Sequence, residues 1–426
     1  MEAEYMNQKK GFSKDFWLVV TGQIISLFGN AVMRFALPIH LLNVTGSAAV
    51  LGVVSGCAFI PLAVMSPIGG IIADRVNKRN IMVFLDFFTS ALTILFLLFY
   101  GKVNITGLVM VMLFMLYGIS GAYQPSVQAS IPVLVSGERV MQANAVINMV
   151  SSLSGLLGPA LGGIAYSLWG IYPVLAMAAG CFFLSAVMEL FIHIPSSRRT
   201  RNVSVLREAA ADLKQSISYI SREKSEIGKL TLCCAGVNLV MSSLMIIGLP
   251  VIVMQLLRFS ESEASRLYGF MQAALAVGGL AGGVGAGVLG AKLRVDKSWK
   301  LLAYCGILLV PLGVILMIDG PAYLTYTLLT AVGMVIMALS SIYSIQIMSY
   351  IQMTVPQEMI GKVISWIIAV STCAQPVGQM VYGFLFEKLD HGVFIIFYAA
   401  AALGLLIAWY SRKASGELGG EMQPIF

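Results

Sequence analysis

The chain has 426 residues, 58% hydrophobic and 11% charged, with 27 Lys and Arg against 20 Asp and Glu for a net charge of +7. Soluble domains carry roughly 25% charged residues, so this composition excludes an ordinary globular enzyme or nucleic-acid-binding domain and points to an integral membrane protein. At about 30 residues per crossing and its turn, roughly 20 of them apolar, the length accommodates about twelve to fourteen crossings.

The first fifteen residues are polar, and the apolar run that follows is far longer than the 7–15-residue core of a signal peptide, so helix one reads as a retained anchor. Apolar runs place crossings near 16–42, 47–73, 81–101, 107–133, 142–168 and 171–193, then 229–257, 264–290, 299–318, 321–348, 362–386 and 392–411. Several exceed what a straight span needs, which implies tilt or kinking. The terminal tails and even-numbered connections hold 22 of the 27 cations, and the opposite connections hold Lys102, Arg258, Arg266 and Lys388. The remaining cation, Arg34, lies inside the first crossing. The positive-inside rule then puts both termini in the cytoplasm, which twelve crossings satisfy.

The one long connection, 194–228, separates an N-terminal six-helix bundle (1–193) from a C-terminal one (229–426). Within it Val203, Leu206, Ala210, Leu213, Ile217 and Ile220 recur at steps of three and four, the pattern of an amphipathic helix on the inner membrane surface. A Ser- and Arg-rich tether is the alternative. The halves repeat internally: Gly52 and Gly70 share their spacing with Gly269 and Gly287, while Glu138, Gly158 and Gly163 are matched by Glu358, Gly378 and Gly383. The expected fold is all-α, twelve transmembrane helices in two pseudo-symmetric bundles. Six dispersed cysteines, three dispersed histidines and the lack of any H-E-x-x-H, G-x-S-x-G or P-loop pattern offer no catalytic, metal or cofactor site.

Gly69-Gly70-Ile71-Ile72-Ala73-Asp74-Arg75-Val76-Asn77-Lys78-Arg79 concentrates charge between two apolar runs. Such a cluster cannot sit in hydrocarbon, so the chain surfaces here and re-enters at Ile81. The pattern G-x-x-x-D-R-x-x-[KR]-R resembles the loop signature of the major facilitator superfamily of secondary transporters. That resemblance implies two bundles rocking around a central cavity, with Gly70, Asp74, Arg75, Lys78 and Arg79 forming a cytoplasmic gate. Asp74 would cap the positive end of helix eleven near Gly361 and Lys362, and Arg75 and Arg79 would pair with acids such as Glu138 or Asp86. A glycine is common at the position of Asn77, and Asn tolerates a left-handed turn. In the second half Ala291-Lys292 replace Asp74-Arg75, so the latch is expected to be asymmetric. A purely topogenic charge run is the alternative.

The stretch Ser154 to Gly163 has a G-P-x-x-G-G core that resembles the antiporter motif of drug-efflux members. Gly158, Gly162 and Gly163 would let two backbones approach closely, and Pro159 would bend the helix, giving a tight contact between bundles. Tyr123-Gln124-Pro125, Ile131-Pro132-Val133, Ala143-Asn144-Ala145 and Thr45-Gly46-Ser47 resemble the macrolide-efflux-like branch. This implies export of amphipathic compounds such as macrolides or siderophores, with a lysophospholipid transporter or flippase as the alternative.

Crossings one, four, seven and ten line the cavity in this fold. On them Asn30 and Arg34, Gln124 and Gln128, Asn238, Met241 and Met245, and Tyr343, Gln346 and Tyr350 share faces at helical spacing. Methionines and aromatics with sparse amides suit bulky amphipathic cargo. An arginine at the bilayer centre costs about 2.5–3.5 kcal/mol, so Arg34 should meet an anionic or zwitterionic substrate group, or else snorkel or bond carbonyls. These four crossings hold no Asp or Glu, and Leu116 stands where efflux antiporters usually carry arginine. The embedded acids Asp86 and Glu189 are left as proton-coupling candidates or as salt-bridge partners of loop cations. The expectation is a monomeric multi-pass exporter in a bacterial plasma membrane, its partners an amphipathic small molecule, protons and the bilayer, with no nucleic acid. A nutrient importer is disfavoured because Ile194-Pro195-Ser196-Ser197-Arg198-Arg199 stands after helix six where sugar porters carry a P-E-S-P-R sequence, and a transport-dead receptor would need more than the thirteen residues after Lys413 to signal through.

Overall fold

A computed structural model describes residues 12–135, 139–194, 215, 217–220, 224–289, 295–318, 320–356, 359–389 and 392–416. Six long helices occupy the first half: α1 Lys14–Thr45, α2 Ala48–Arg75, α3 Lys78–Phe99, α4 Ile105–Leu134, α5 Val140–Trp169 and α6 Ile171–Glu189. In the second half α7 is one rod of alternating winding, α-helical over Ser225–Val237 and Ser243–Val251 and π-helical over Asn238–Ser242 and Ile252–Leu256. It is followed by α8 Glu261–Leu289, α9 Trp299–Met317, α10 Ala322–Thr354, α11 Ile360–Lys388 and α12 Val393–Gly416. All twelve coincide with the predicted crossings. Among the described residues, eleven stretches are long and apolar enough to span a membrane; α11, at 29 residues, has the length of the twelfth.

Hydrocarbon offers no hydrogen-bond partners, so a spanning segment must satisfy its own backbone, and a helix does. The charged and Gly-rich breaks then set the ends. Gly170 is the single residue between α5 and α6; it takes φ 73°, a conformation only glycine adopts without strain, while its N–H donates to Tyr166 O at 2.8 Å. Side chains sort inside out relative to a soluble protein. α3 buries Asp86, Thr89, Ser90 and Thr93 and turns Phe84, Phe88, Leu95 and Leu98 outward, the arrangement a lipid solvent selects.

Packing divides the chain into two compact units, Met1–Leu41 with Ala58–Val205, and Leu42–Cys57 with Leu206–Phe426. The sequence repeat has a physical counterpart in how helices pair within each. In the first unit α3 packs against α4 and α6; in the second α9 packs against α10 and α12. A Cβ at Gly69 of α2 would fall on Ala122 of α4, and one at Gly278 of α8 would fall on Met334 of α10. Gly158 of α5 seats against Ala31 of α1, and its repeat partner Gly378 of α11 seats against Leu239 and Ser243 of α7. Each close approach thus recurs six helices later.

Gly158 and Gly162 meet Ala31, Val32 and Phe35 of α1, so these glycines of the motif make close contacts within the first unit. The end of α1 and the start of α2 pack with the second unit: Ser47 Oγ and Ala49 N donate to Glu387 at 2.9 and 3.2 Å, and Asn43 Nδ2 donates to Glu261 at 2.9 Å. The amphipathic stretch predicted over Val203–Ile220 lies outside the described residues except Gln215 and 217–220, which are helical, with Ile220 buried and Ile217 exposed.

Candidate functional site

A polar seam runs through the first unit between α1 and α4. On α1 Gln23, Ser26, Asn30 and Arg34 follow one another at steps of three and four and so share a face. On α4 Tyr117, Ser120 and Tyr123 do the same. The helices run antiparallel, so Arg34 meets Tyr117 and Ser120 while Gln23 meets Tyr123. From Gln23 to Arg34 the seam spans about 16 Å of helix at 1.5 Å per residue.

At one end, Arg34 Nη2 donates to Ser120 Oγ at 2.7 Å, and its guanidinium lies 3.9 Å from the centroid of the Tyr117 ring. Asn30 Nδ2 donates more weakly to the same hydroxyl at 3.4 Å. No carboxylate pairs with Arg34 among the described residues, and its Nε is buried without a hydrogen-bond partner. Cation–π contact and one hydroxyl hold the charge in place and leave a donor unused.

At the other end, Gln23 Nε2 donates to Tyr123 Oη at 2.9 Å, and Tyr123 donates to Glu189 Oε1 of α6 at 2.7 Å. Asp86 of α3 accepts from Ser26 at 2.9 Å and lies 3.5 Å from the same phenol. Asp86 and Glu189 are 2% and 0% exposed. The pairing of these acids with loop cations does not hold for Arg79. Its Nε donates to Glu189 O at 3.3 Å and its Nη2 to Leu190 O, capping the negative end of α6 through the backbone.

Asn77 does not take a left-handed turn. Its φ is −62° and ψ 119°, and its side chain accepts from Arg79 N at 3.0 Å, making it the N-cap of α3. Asn77→Ala should therefore lower stability by about 1 kcal/mol, read as a lower thermal midpoint, whereas Asn77→Asp should leave it unchanged. Gly70 has open space around it, Lys78 starts α3, and Arg75 ends α2 with interactions of its own. Glu138 and the side chains of Asp74, Gly361 and Lys362 lie outside the described residues.

The remaining predicted residues are dispersed. Gln124 is half-buried and Gln128 exposed on α4. On α7, Asn238 opens the first π segment and donates to Cys234 O at 3.3 Å, while Met241 and Met245 are buried. Ser243 Oγ sits 2.8 Å from Asn238 O and 2.9 Å from Gln375 O of α11, satisfying a carbonyl that the wider winding frees; such π turns concentrate at functional sites. Tyr343 and Tyr350 belong to the buried core of the second unit, and Gln346 is buried beside them with Oε1 unpartnered. The sequence reading missed Gln23, Ser26, Tyr117, Ser120 and the role of Tyr123, though their helical spacing on two apolar crossings was the available signal.

A sequence model of the Major Facilitator Superfamily matches residues 19–378. The chain belongs to the Major Facilitator Superfamily. It is a multi-pass membrane protein of that family. It is 27% identical over 194 residues to macrolide efflux protein A of Streptococcus pyogenes, a match covering 45% of this chain and 47% of that one, so it spans about half of that relative. The multidrug efflux pump Tap of Mycolicibacterium fortuitum is 23% identical over 407 residues, 91% of this chain and 93% of Tap. Among solved structures, an inward-facing, unoccupied bacterial homolog of the human lysosomal transporter Spinster matches with a TM-score of 0.72 at 16% identity, covering 97% of this chain and all of that one. The nucleoside transporter NupG mutant matches with 0.74 at 11%, covering 93% and 99%. At these identities the structural likeness establishes the fold.

Proposed function

We propose that this transporter exports amphipathic natural products or drugs, macrolides or siderophores among them, by alternating access with proton antiport, acting as a monomer in a bacterial plasma membrane with both termini cytoplasmic. The N-terminal bundle is taken as 1–193, the linker as 194–228 and the C-terminal bundle as 229–426, with Asp74 latching against α11 near Gly361 and Lys362. The observation that carries the reading is Arg34: a guanidinium fixed by Ser120 and Tyr117, with no carboxylate partner among the described residues and with Nε free, on a membrane-spanning helix. It offers charged donors to an oxygen-rich amphipathic molecule while the surrounding surface takes the apolar remainder. Similarity to macrolide and multidrug efflux proteins supports the same class.

A second reading, a lysophospholipid transporter, draws on the same residue, because a half-buried guanidinium with an unused donor also suits a phosphate. Expression in a host stripped of its own efflux pumps separates them. Export predicts lower accumulation of a radiolabelled macrolide, restored to the host level by Arg34→Ala; movement of lysophosphatidylcholine alone, with macrolide accumulation unchanged, would replace the proposal with the lipid reading.

A further inference from the structure

The acidic end of the seam is chemically incomplete as it stands. Two carboxylates, Asp86 and Glu189, share one phenol, and neither meets a cation among the described residues. Placing a lone ion in a low-dielectric interior costs several kcal/mol, and two like charges side by side cost more. The hydrogen-bond ledger is short in the same direction. Glu189 Oε2 and Gln23 Oε1 are both acceptors, both buried and both without a donor. Tyr123 has spent its proton on Glu189 Oε1, Ser26 has spent its own on Asp86, and Ser185 lies within hydrogen-bond reach of both Asp86 and Gly22 O, so it has nothing to give Glu189 Oε2. A proton on Glu189 Oε2 supplies a positive charge to the acid pair and removes one of the two orphan acceptors.

We propose that Asp86, Tyr123 and Glu189 form the binding site for a single coupling proton, carried on Glu189 Oε2 inside the first unit and away from Arg34. This rests on the antiport reading above and assigns its proton a place. Loading forms one O–H bond on Glu189 and leaves one negative charge, on Asp86; release returns that proton to water and restores both charges. Tyr123 and Gln23 are positioning residues that tie α4 and α1 to the pair, so the change of charge acts on the two helices that also hold Arg34. A metal ion fits less well, because it needs several converging oxygens, whereas Gln23 turns its amide nitrogen toward Tyr123.

The other titratable groups on the surrounding helices are engaged elsewhere or stand apart. Arg79 sits on the carbonyls of Glu189 and Leu190, Asp15 of α1 lies 4.0 Å from the ring of His193, and Arg34 lies against Ser120 and Tyr117. Cys181 of α6 packs on Gly29, and Lys14 and Lys78 occupy the first turns of α1 and α3.

Infrared difference spectroscopy on the full chain reconstituted in lipid tests this without any transported compound. The wild type should show a protonated-carboxyl band that shifts in heavy water and disappears as pH is raised. Glu189→Gln should abolish it, Asp15→Asn should leave it unchanged, and Tyr123→Phe should alter its frequency. Sodium added at constant pH should have no effect. A wild type with no such band, a band that never titrates, one displaced by sodium, or one that survives Glu189→Gln would overturn the proposal. The wild-type spectrum decides even if a variant fails to fold. A titrating band with flux indifferent to a pH gradient would keep the proton site and remove the antiport reading, so the two fail separately.

Discussion

An Arg34→Met protein should fold as well as the parent or better, and should lose most of its transport. The two halves of that expectation come from one geometry. Arg34 has no carboxylate among the described residues; Ser120 and the Tyr117 ring hold it, and Nε stays unpartnered. Replacing a partly buried arginine that has no carboxylate partner among the described residues removes a desolvation cost without leaving a partner charge unpaired, and methionine keeps the length of the aliphatic stem. A group retained at a cost to folding is retained for something else. If Nε and the guanidinium serve a substrate acceptor, the lost charged hydrogen bonds are worth about 1.5–3 kcal/mol, roughly tenfold to a hundredfold in binding. Arg34→Lys should fall between, since a point charge cannot lie flat on Tyr117 and donate sideways at once. Thermal unfolding in detergent read beside flux per folded molecule settles it: an unfolded Arg34→Met protein, or one with normal flux, would make Arg34 structural.

The second large effect is on folding. Gly158→Ala should destabilise the first unit by about 1–3 kcal/mol through overpacking, and Gly158→Leu should leave little folded protein. The Cβ of residue 158 would fall on the methyl of Ala31, inside a backbone crossing of α5 with α1 that cannot widen without moving Gly162 off Val32 and Phe35. Because the clash is with a side chain, Ala31→Gly should rescue Gly158→Ala, a coupling that a double-mutant cycle measures. The repeat partner behaves differently. At Gly378 the nearest obstacle is the carbonyl of Leu239, which no substitution removes, so Ser243→Ala should rescue Gly378→Ala only in part. Gly155→Leu, one turn before Gly158 with open space around it, should be close to neutral. Equal damage at 155 and 158 would mean that glycine acts through helix propensity and not through the crossing.

Residue chemistry explains what the sequence could and could not disclose. The ends of all twelve helices were legible because charge cannot enter hydrocarbon: the run from Asp74 to Arg79 marks the α2–α3 turn whatever it packs against. The duplication was legible as spaced glycines, and Gly158 with Gly378 shows why those positions recur. The acid pair was half legible. Asp86 and Glu189 stand out as embedded carboxylates, but which groups they meet depends on α3, α4 and α6 converging, and Tyr123 reads in sequence as one aromatic among many. Arg79 illustrates the same limit, since a cation near acids in sequence capped a helix end by way of carbonyls. The π turns of α7 carry no one-dimensional signature, because Asn238–Ser242 widens where Ser243 reaches across to α11. Tyr343 and Tyr350 share a helical face as predicted, and that face turned out to be the core of their unit.

The measurement that bears most directly on the central reading is uptake of a radiolabelled macrolide by proteoliposomes under an imposed pH gradient. Proton-coupled export predicts concentrative uptake when the vesicle lumen is acidic, collapse of that uptake with a protonophore, and loss of the gradient dependence in Glu189→Gln. Uptake that stays at the level of empty vesicles, or that proceeds unchanged after the gradient is dissipated, would contradict it.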